Sequence, residues 1–274
     1  MDIRGCVSTD AGAHKELCSD AAVLKIATSG RYGRIGFAVL CDGLDGMTDA
    51  WKASAIVAER FAAWFHGELP AILQKAEADM RERERGKESA RMLTEVLQAE
   101  DRRRSYSKEL FALAGIRIRK RLREIAAELE ARIAGYKRLH GRVAGCAATC
   151  LLVMGGSYLV MHIGPSRAYL AEGQDLSLLE QEADVPEQKT SPFGTKERAR
   201  PLFLQGAMSR DTGILLCSDA FVRRQNPEHF CKKINRCIRH SEKRQETVLR
   251  GLTRYVRRRG ERQDAFAVLL TRGR

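Results

Sequence analysis

The chain has 274 residues, of which 44% are hydrophobic and 30% charged, and Lys and Arg outnumber Asp and Glu by 48 to 35. With only 6 prolines, this composition excludes a largely disordered protein. The longest apolar stretch, residues 143–154, is shorter than the roughly 20 residues that a membrane span needs. The N-terminal segment has no apolar signal core. We therefore predict no membrane span, no secretion signal and a cytoplasmic location.

The first predicted elements are strands. Residues 21–26 and 35–41 are short apolar runs, and the second ends abruptly in Asp42-Gly43. From residue 51 to residue 65 the apolar spacing becomes helical, and Pro70 interrupts that pattern.

A highly charged helical segment follows from residue 71 to about residue 142. Residues 81–91 have little apolar surface to bury, so a bend is predicted there, and an amphipathic stripe then marks a second helix. We expect the two helices to form an extended hairpin that protrudes and docks a partner protein or an acidic surface.

After Gly145 the pattern returns to short strands, with one further helix before the last of them. The predicted elements are strands over 149–154, 158–163 and 168–170, a polar loop over 180–200, a strand over 214–217, a helix over 227–256 and a strand over 266–270. Because strands, long helices and further strands do not alternate as βα units, the order favours an α+β fold. We expect one domain of mainly antiparallel sheets covered by helices.

The net charge indicates the kind of partner, and the cysteines indicate the redox environment. A net charge of +13 favours acidic partners, and the excess is concentrated in residues 115–142 and 232–262, which have the pattern of helices with a solvated basic face. Zinc-ligand spacing and stacking aromatic motifs are missing, so nucleic-acid binding by the second segment is only a third class of function. The 8 cysteines form no Cys-x-x-Cys pair, which indicates reduced thiols in a cytosolic protein.

Three aspartates lie at the ends of predicted strands. Asp42 and Asp219 each follow an apolar strand, and Asp264 precedes the last one. Carboxylates on rigid strand ends could converge on a hard divalent cation, and oxygen ligands suit Mg²⁺ or Mn²⁺ better than zinc. Aspartate beside a strand is also an ordinary turn signal, so any one of these residues taken alone more often has a structural role.

Six segments resemble, in order, the motifs of the PP2C (PPM) family of metal-dependent protein serine/threonine phosphatases, and together they span nearly the whole chain. They are KELCSDA (15–21), FAVLCDGLDGM (37–47), GCAAT (145–149), MHIGPSRAYL (161–170), LLCSDAF (215–221) and ERQDAFAVLL (261–270). The resemblance implies a four-layer αββα sandwich with a two-metal centre, occupied by Mn²⁺ or Mg²⁺, in a cleft between the sheets.

The resemblance also implies roles for particular residues. Asp42 would bridge both ions, with the Gly43 carbonyl assisting. Asp219 and Asp264 would complete the shell of one ion, and Asp20 would act through bound water. A water held between the ions, with its pKa lowered, would attack the phosphorus of phosphoserine or phosphothreonine in line. The implied partners are phosphorylated proteins, including a serine/threonine kinase and its targets.

Several positions depart from the family pattern. Lys15 stands where the family has the arginine that clamps the phosphate, and lysine lacks the bidentate fork, so weaker phosphate binding is expected. Pro165 replaces an aspartate that helps to hold a third metal, which argues against that third site. Asp45 and Trp51 stand where glycine and glutamate are usual. Asp45 could supply a replacement carboxylate or repel the substrate phosphate, and its charge favours repulsion.

Other replacements remove supporting side chains. Ala220 and Ala265 replace the glycine and asparagine that follow the second and third metal aspartates, and Cys146 and Ala147 replace two threonines. Such losses cost about 10- to 100-fold in metal affinity or activity. Two functions therefore stay open: an active phosphatase of reduced rate, and a catalytically weak or inactive pseudophosphatase that binds phosphoproteins or another partner.

Overall fold

The strands form two antiparallel sheets of five strands each in the computed structural model, which describes residues 2–12, 17–85, 99–182 and 190–273. In chain order the strands are β1 (Ile3–Ser8), β2 (Ala21–Ser29), β3 (Gly33–Gly43), β4 (Cys146–Met154), β5 (Ser157–Ile163), β6 (Arg167–Glu172), β7 (Asp175–Leu178), β8 (Leu202–Ala207), β9 (Thr212–Cys217) and β10 (Ala267–Arg272). Sheet I has the order β1-β10-β9-β6-β7, and sheet II has the order β2-β3-β4-β5-β8.

Helices cover the outer face of each sheet. They are α1 (Ala50–Gly67), α2 (Leu69–Arg85), α3 (Ala99–His140), α4 (Leu179–Glu182), α5 (Asp219–Arg223), α6 (Pro227–Cys237) and α7 (Glu242–Arg258). Helices α1 to α3 pack on sheet II, and α5 to α7 pack on sheet I. The two sheets face each other across a shared apolar core. The predicted four-layer αββα sandwich is thus confirmed.

The position of β3 in the sandwich explains the uninterrupted apolar run of residues 35–41. Its side chains alternate between the two faces of sheet II. Phe37 and Cys41 pack under the helices, whereas Ala38 and Leu40 pack against sheet I. Because both faces are covered, both sets must be apolar. The same alternation directs the side chain of Asp42 to the face of Ala38 and Leu40, which lies between the sheets.

Most predicted elements are present, and the differences have local reasons. The predicted helix over 227–256 is two helices, α6 and α7, separated at residues 238–241. Strands β1, β7 and β8 were not predicted. Strand β7 has only four residues, β1 has its apolar residues separated by Arg4 and Gly5, and β8 has long apolar side chains only in its first half, before Gln205 and Gly206.

The charged hairpin lies on sheet II along its described length. The inner faces of α2 and α3 bury Leu73, Met80, Leu110 and Ile125 against the sheet and α1, so the charges occupy the outer faces. Most of the predicted bend falls within residues 86–98, outside the described residues. None of the described helices has both the length and the apolar character that a membrane span requires.

Candidate functional site

The ends of β2 and β3 bring the first two aspartates together. Ala21 is paired with Cys41 in the antiparallel ladder, so Asp20 and Asp42 extend from the same edge of sheet II. The carboxylate of Asp20 accepts a hydrogen bond from the Gly43 N–H, with 3.1 Å between Oδ1 and nitrogen. A side chain at position 43 would collide with the Ser19 carbonyl, at 2.4 Å from a Cβ atom. Glycine is therefore required where β3 approaches this segment.

Asp42 connects the two sheets. Its side chain points between them, where β9 of sheet I ends at Cys217 and α5 begins at Asp219. The Asp219 N–H donates a hydrogen bond to Asp42 Oδ2, with a nitrogen–oxygen distance of 3.1 Å. Three of the predicted aspartates, Asp20, Asp42 and Asp219, thus meet at one edge of the sandwich.

The local field around Asp42 is negative. Burial is the largest cause that raises the pKa of the Asp42 carboxyl to about 6, and the charges of Asp219 and Asp45 add to that rise, against hydrogen bonds that lower it. The raised pKa thus reflects mainly the burial of the carboxyl and, to a smaller extent, the neighbouring carboxylates. A bound cation at this position would stabilise the ionised form.

Two arginines balance the charge of Asp219. Arg223, one helical turn later, donates from Nε and Nη2 to Asp219 Oδ2 at 3.0 and 2.7 Å. Arg167, at the start of β6, places Nη2 at 3.9 Å from Oδ1. The spacing of four residues between Asp219 and Arg223 is a signal that sequence reasoning missed.

Asp264 is buried and holds the N-terminal segment. Its Oδ1 accepts the Gly12 N–H at 2.7 Å, and its Oδ2 accepts the N–H and the hydroxyl of Ser19 at 2.7 and 2.6 Å. Ligation of a metal by Asp264 would therefore require at least one of these hydrogen bonds to be exchanged. Lys15 lies outside the described residues, together with the other members of 13–16.

Two of the residues that depart from the PP2C motif pattern line a small groove beside the site. Asp45 and Trp51 line a cavity of about 260 Å³ together with Leu17 and Met47. The amide of Gln263 donates a hydrogen bond to Asp45 Oδ2. Asp45 therefore lies at the rim of an apolar groove, next to the aspartates of β3 and α5.

In the described part of the chain, no group of three or more His, Cys, Asp or Glu side chains is arranged to hold a metal ion. The donor chemistry nevertheless fits a hard divalent cation at Asp42. The Asp42 and Asp219 carboxylates and the Gly43 carbonyl offer oxygen atoms only, and a cation would neutralise the carboxylate charges that, after burial, help to raise the pKa of Asp42. Asp264 fits less well, because both of its oxygens already accept hydrogen bonds.

A buried polar cluster lies behind the site. His162 Nδ1 is 2.9 Å from Thr149 Oγ1 and 3.4 Å from Glu180 Oε1, and Thr149 also contacts Ser166 at 2.7 Å. Burial lowers the pKa of His162 to about 4 and raises the pKa of Glu180 to about 7. At neutral pH the cluster thus contains a neutral histidine and a carboxyl near its midpoint of titration.

Replacement of Glu180 with glutamine is expected to stabilise the protein at about pH 8 and to have little effect at about pH 4. The folded-state pKa of Glu180, about 7, exceeds the ordinary value of 4.5, so the wild type loses stability as the pH rises through this window. A shift of this size corresponds to about 3–4 kcal/mol. The measurement is the difference in Tm between variant and wild type across that range, and a difference that does not grow with pH would contradict the expectation.

Comparison with known proteins finds similar folds but no similar sequence. No family model matches the chain, and no curated protein matches its sequence. Among solved structures, phosphatase Stp1 from Staphylococcus aureus matches with a TM-score of 0.65 at 15% identity, over 99% of this chain and 95% of that chain. PppA, described as a key regulatory component of T6SS in Pseudomonas aeruginosa, matches with a TM-score of 0.60 at 16% identity, over 98% and 97% of the two chains.

The catalytic domain of the serine/threonine phosphatase PstP, in complex with 2 manganese ions, matches with a TM-score of 0.59 at 17% identity, over 98% of this chain and 97% of that chain. Similarity at these identities establishes the fold. The chain has the fold of the bacterial PP2C-type serine/threonine phosphatases, as its motifs predicted.

Proposed function

We propose that the protein is a metal-dependent phosphatase that hydrolyses phosphoserine or phosphothreonine in proteins, with Mn²⁺ or Mg²⁺ as cofactor. A fold alone does not determine activity, so the proposal rests on the site. The observation that carries it is the convergence of Asp20 and Asp219 on Asp42, whose pKa is raised to about 6. The manganese complex of PstP supports the choice of ion.

Each residue then has a defined role. Asp42, the Gly43 carbonyl and Asp219 would hold the cation, with Asp264 joining only after it exchanges a hydrogen bond. Asp20 orients Gly43 through the hydrogen bond from its N–H. A divalent cation bound there would lower the pKa of a water molecule and so supply the nucleophile for phosphorus. Because Pro165 has no ligating side chain, a third ion is not part of the proposal.

Two arginines offer positive charge to the substrate. Arg223 and Arg167 are partly exposed beside Asp219. If Asp219 bound a metal ion in place of Arg223, the Arg223 guanidinium would be able to donate hydrogen bonds to phosphate oxygens. The guanidinium fork matches the geometry of those oxygens. This arrangement would supplement Lys15, the predicted phosphate-binding residue. The apolar groove at Trp51 would accept a side chain that flanks the phosphorylated residue.

The test is hydrolysis of a phosphothreonine peptide in the presence of Mn²⁺, Mg²⁺ or EDTA. Wild type is expected to turn over with a divalent cation and to lose turnover in EDTA and in Asp42→Asn. The matched control is Asp175→Asn, because Asp175 is an exposed aspartate on β7; this variant should keep wild-type turnover. Metal-independent turnover, or turnover that Asp42→Asn leaves intact, would contradict the proposal.

A second candidate is a pseudophosphatase that binds phosphoproteins without hydrolysis. The specific observation in its favour is that Arg223 and Arg167 already balance Asp219, while both oxygens of Asp264 accept hydrogen bonds. This candidate predicts that a phosphopeptide binds in EDTA, in preference to its unphosphorylated form, and is not hydrolysed when Mn²⁺ is added. Turnover with Mn²⁺ would rule it out.

The proposed partners are phosphorylated proteins, including a serine/threonine kinase and its targets. A cytoplasmic location stays a prediction of the sequence. All eight cysteines are free of disulfide bonds, which supports a reducing environment.

A further inference from the structure

A broad groove lies on the outer side of sheet I, between the β6–β7 turn and helices α6 and α7. Its volume is about 840 Å³. Four cationic side chains and one carboxylate line it: Lys232, Arg236, Arg239 and Arg244, with Glu228. All four cationic residues are exposed, so the groove presents a concentrated positive charge to the solvent.

None of the four groove cations forms an ion pair within the described residues. Two arginines of α3 do form such pairs: Arg121 with Glu68, Glu124 and Glu128, and Arg117 with Asp79. The groove thus gathers four unpaired cations in one concave surface, and their charge has no partner among the described residues.

The floor of the groove contains a buried amide. Asn235 is 8% exposed, and its Nδ2 donates to Cys231 Sγ at 3.3 Å. The Cys231 thiol in turn donates to the Gln174 carbonyl at 3.2 Å. The Asn235 carboxamide oxygen is buried as well. The Cys231–Gln174 hydrogen bond joins α6 to the β6–β7 turn and holds these two walls of the groove together.

From these observations we infer that the groove is a docking site for an acidic segment of a partner protein. Asp and Glu side chains supply the negative charge that balances the four cations. His240 is the one aromatic side chain in the lining, so the groove lacks the platform of several rings on which single-stranded nucleic acids stack.

The groove is separate from the candidate metal centre. Strand β6 runs from Arg167, beside Asp219, to Glu172, immediately before the turn that borders the groove. Six residues of extended strand span about 20 Å. The inference therefore does not depend on the proposed phosphatase activity, and its test needs neither a metal nor turnover.

The test is fluorescence anisotropy of a short labelled peptide rich in Glu, titrated with the full chain in EDTA. The double variant Arg236→Glu/Arg239→Glu is expected to weaken binding about tenfold or more, and added salt should weaken wild-type binding. The matched control is Lys137→Glu/Arg138→Glu, which makes the same change of charge at exposed positions of α3 and should bind as wild type does. Thermal melting verifies that each variant is folded.

Three results would overturn the inference: no binding of the peptide by wild type, equal weakening in both double variants, or tighter binding of a single-stranded oligonucleotide of the same charge.

Discussion

Replacement of Arg223 with alanine is expected to raise the affinity for Mn²⁺ by about two- to fivefold, because an exposed ion pair contributes about 0.2–1 kcal/mol. In the wild type, Arg223 holds Asp219 Oδ2 through two hydrogen bonds, at 3.0 and 2.7 Å. A cation that takes Asp219 as a ligand must displace this guanidinium or accept its positive charge nearby. The alanine variant removes both costs while it keeps the helix, because alanine is a strong helix former.

Calorimetric titration with Mn²⁺ measures this effect without any dependence on catalysis. The matched control is Arg224→Ala, because Arg224 is the adjacent arginine and pairs with Glu261 at 3.6 Å instead. This control should bind Mn²⁺ as wild type does. If Arg223→Ala also contributes to phosphate binding, the KM for a phosphopeptide should rise even as the metal binds more tightly. Unchanged or weaker Mn²⁺ binding in Arg223→Ala would show that Asp219 is not a ligand limited by this arginine.

Replacement of Asp264 with asparagine is expected to lower the free energy of unfolding of the metal-free protein by about 2–4 kcal/mol. The carboxylate accepts three hydrogen bonds from Gly12 and Ser19, and the NH₂ group of asparagine cannot accept any of them. At least one buried donor is then left without its acceptor. The N-terminal segment that leads to Asp20 should loosen in consequence.

Chemical denaturation in EDTA measures this loss, and Asp219→Asn is the control. Asp219 is partly exposed and its main partner is an exposed arginine, so its neutralisation should change the stability little. If Asp264 instead acted mainly as a metal ligand in a cluster of like charges, its neutralisation would stabilise the metal-free protein. An equal or greater stability of Asp264→Asn would therefore contradict the anchoring role.

The positions of Asp20, Asp42 and Asp219 could be predicted from the sequence because strand periodicity sets them. Asp42 follows an apolar run whose alternation alone directs it between the sheets, and Asp20 and Asp219 lie at the ends of strands that were recognised. The role of Asp264 in anchoring could not be predicted, since Gly12 and Ser19 are about 250 positions away in the chain. The pairing of Asp219 with Arg223 could have been found from its spacing along a helix.

The ion pairing of the basic residues likewise could not be predicted from the sequence. Residues 115–142 and 232–262 have comparable basic excess in the sequence. The structure separates them, because Glu68, between α1 and α2, and Glu128 on α3 neutralise Arg121, whereas the groove beside α6 gathers cations from two helices. Tertiary packing decides which charges form ion pairs, so the basic groove could not be predicted from the composition.

The most direct test of the central claim, that Asp42 and its neighbours form a divalent-cation site, is a titration of wild type and Asp42→Asn with Mn²⁺, followed by calorimetry. We predict saturable binding to the wild type and its loss in Asp42→Asn. The variant should also melt no lower than wild type in EDTA, since it removes a carboxyl whose pKa is raised to about 6. No saturable binding to the wild type, or equal binding to both proteins, would contradict the claim.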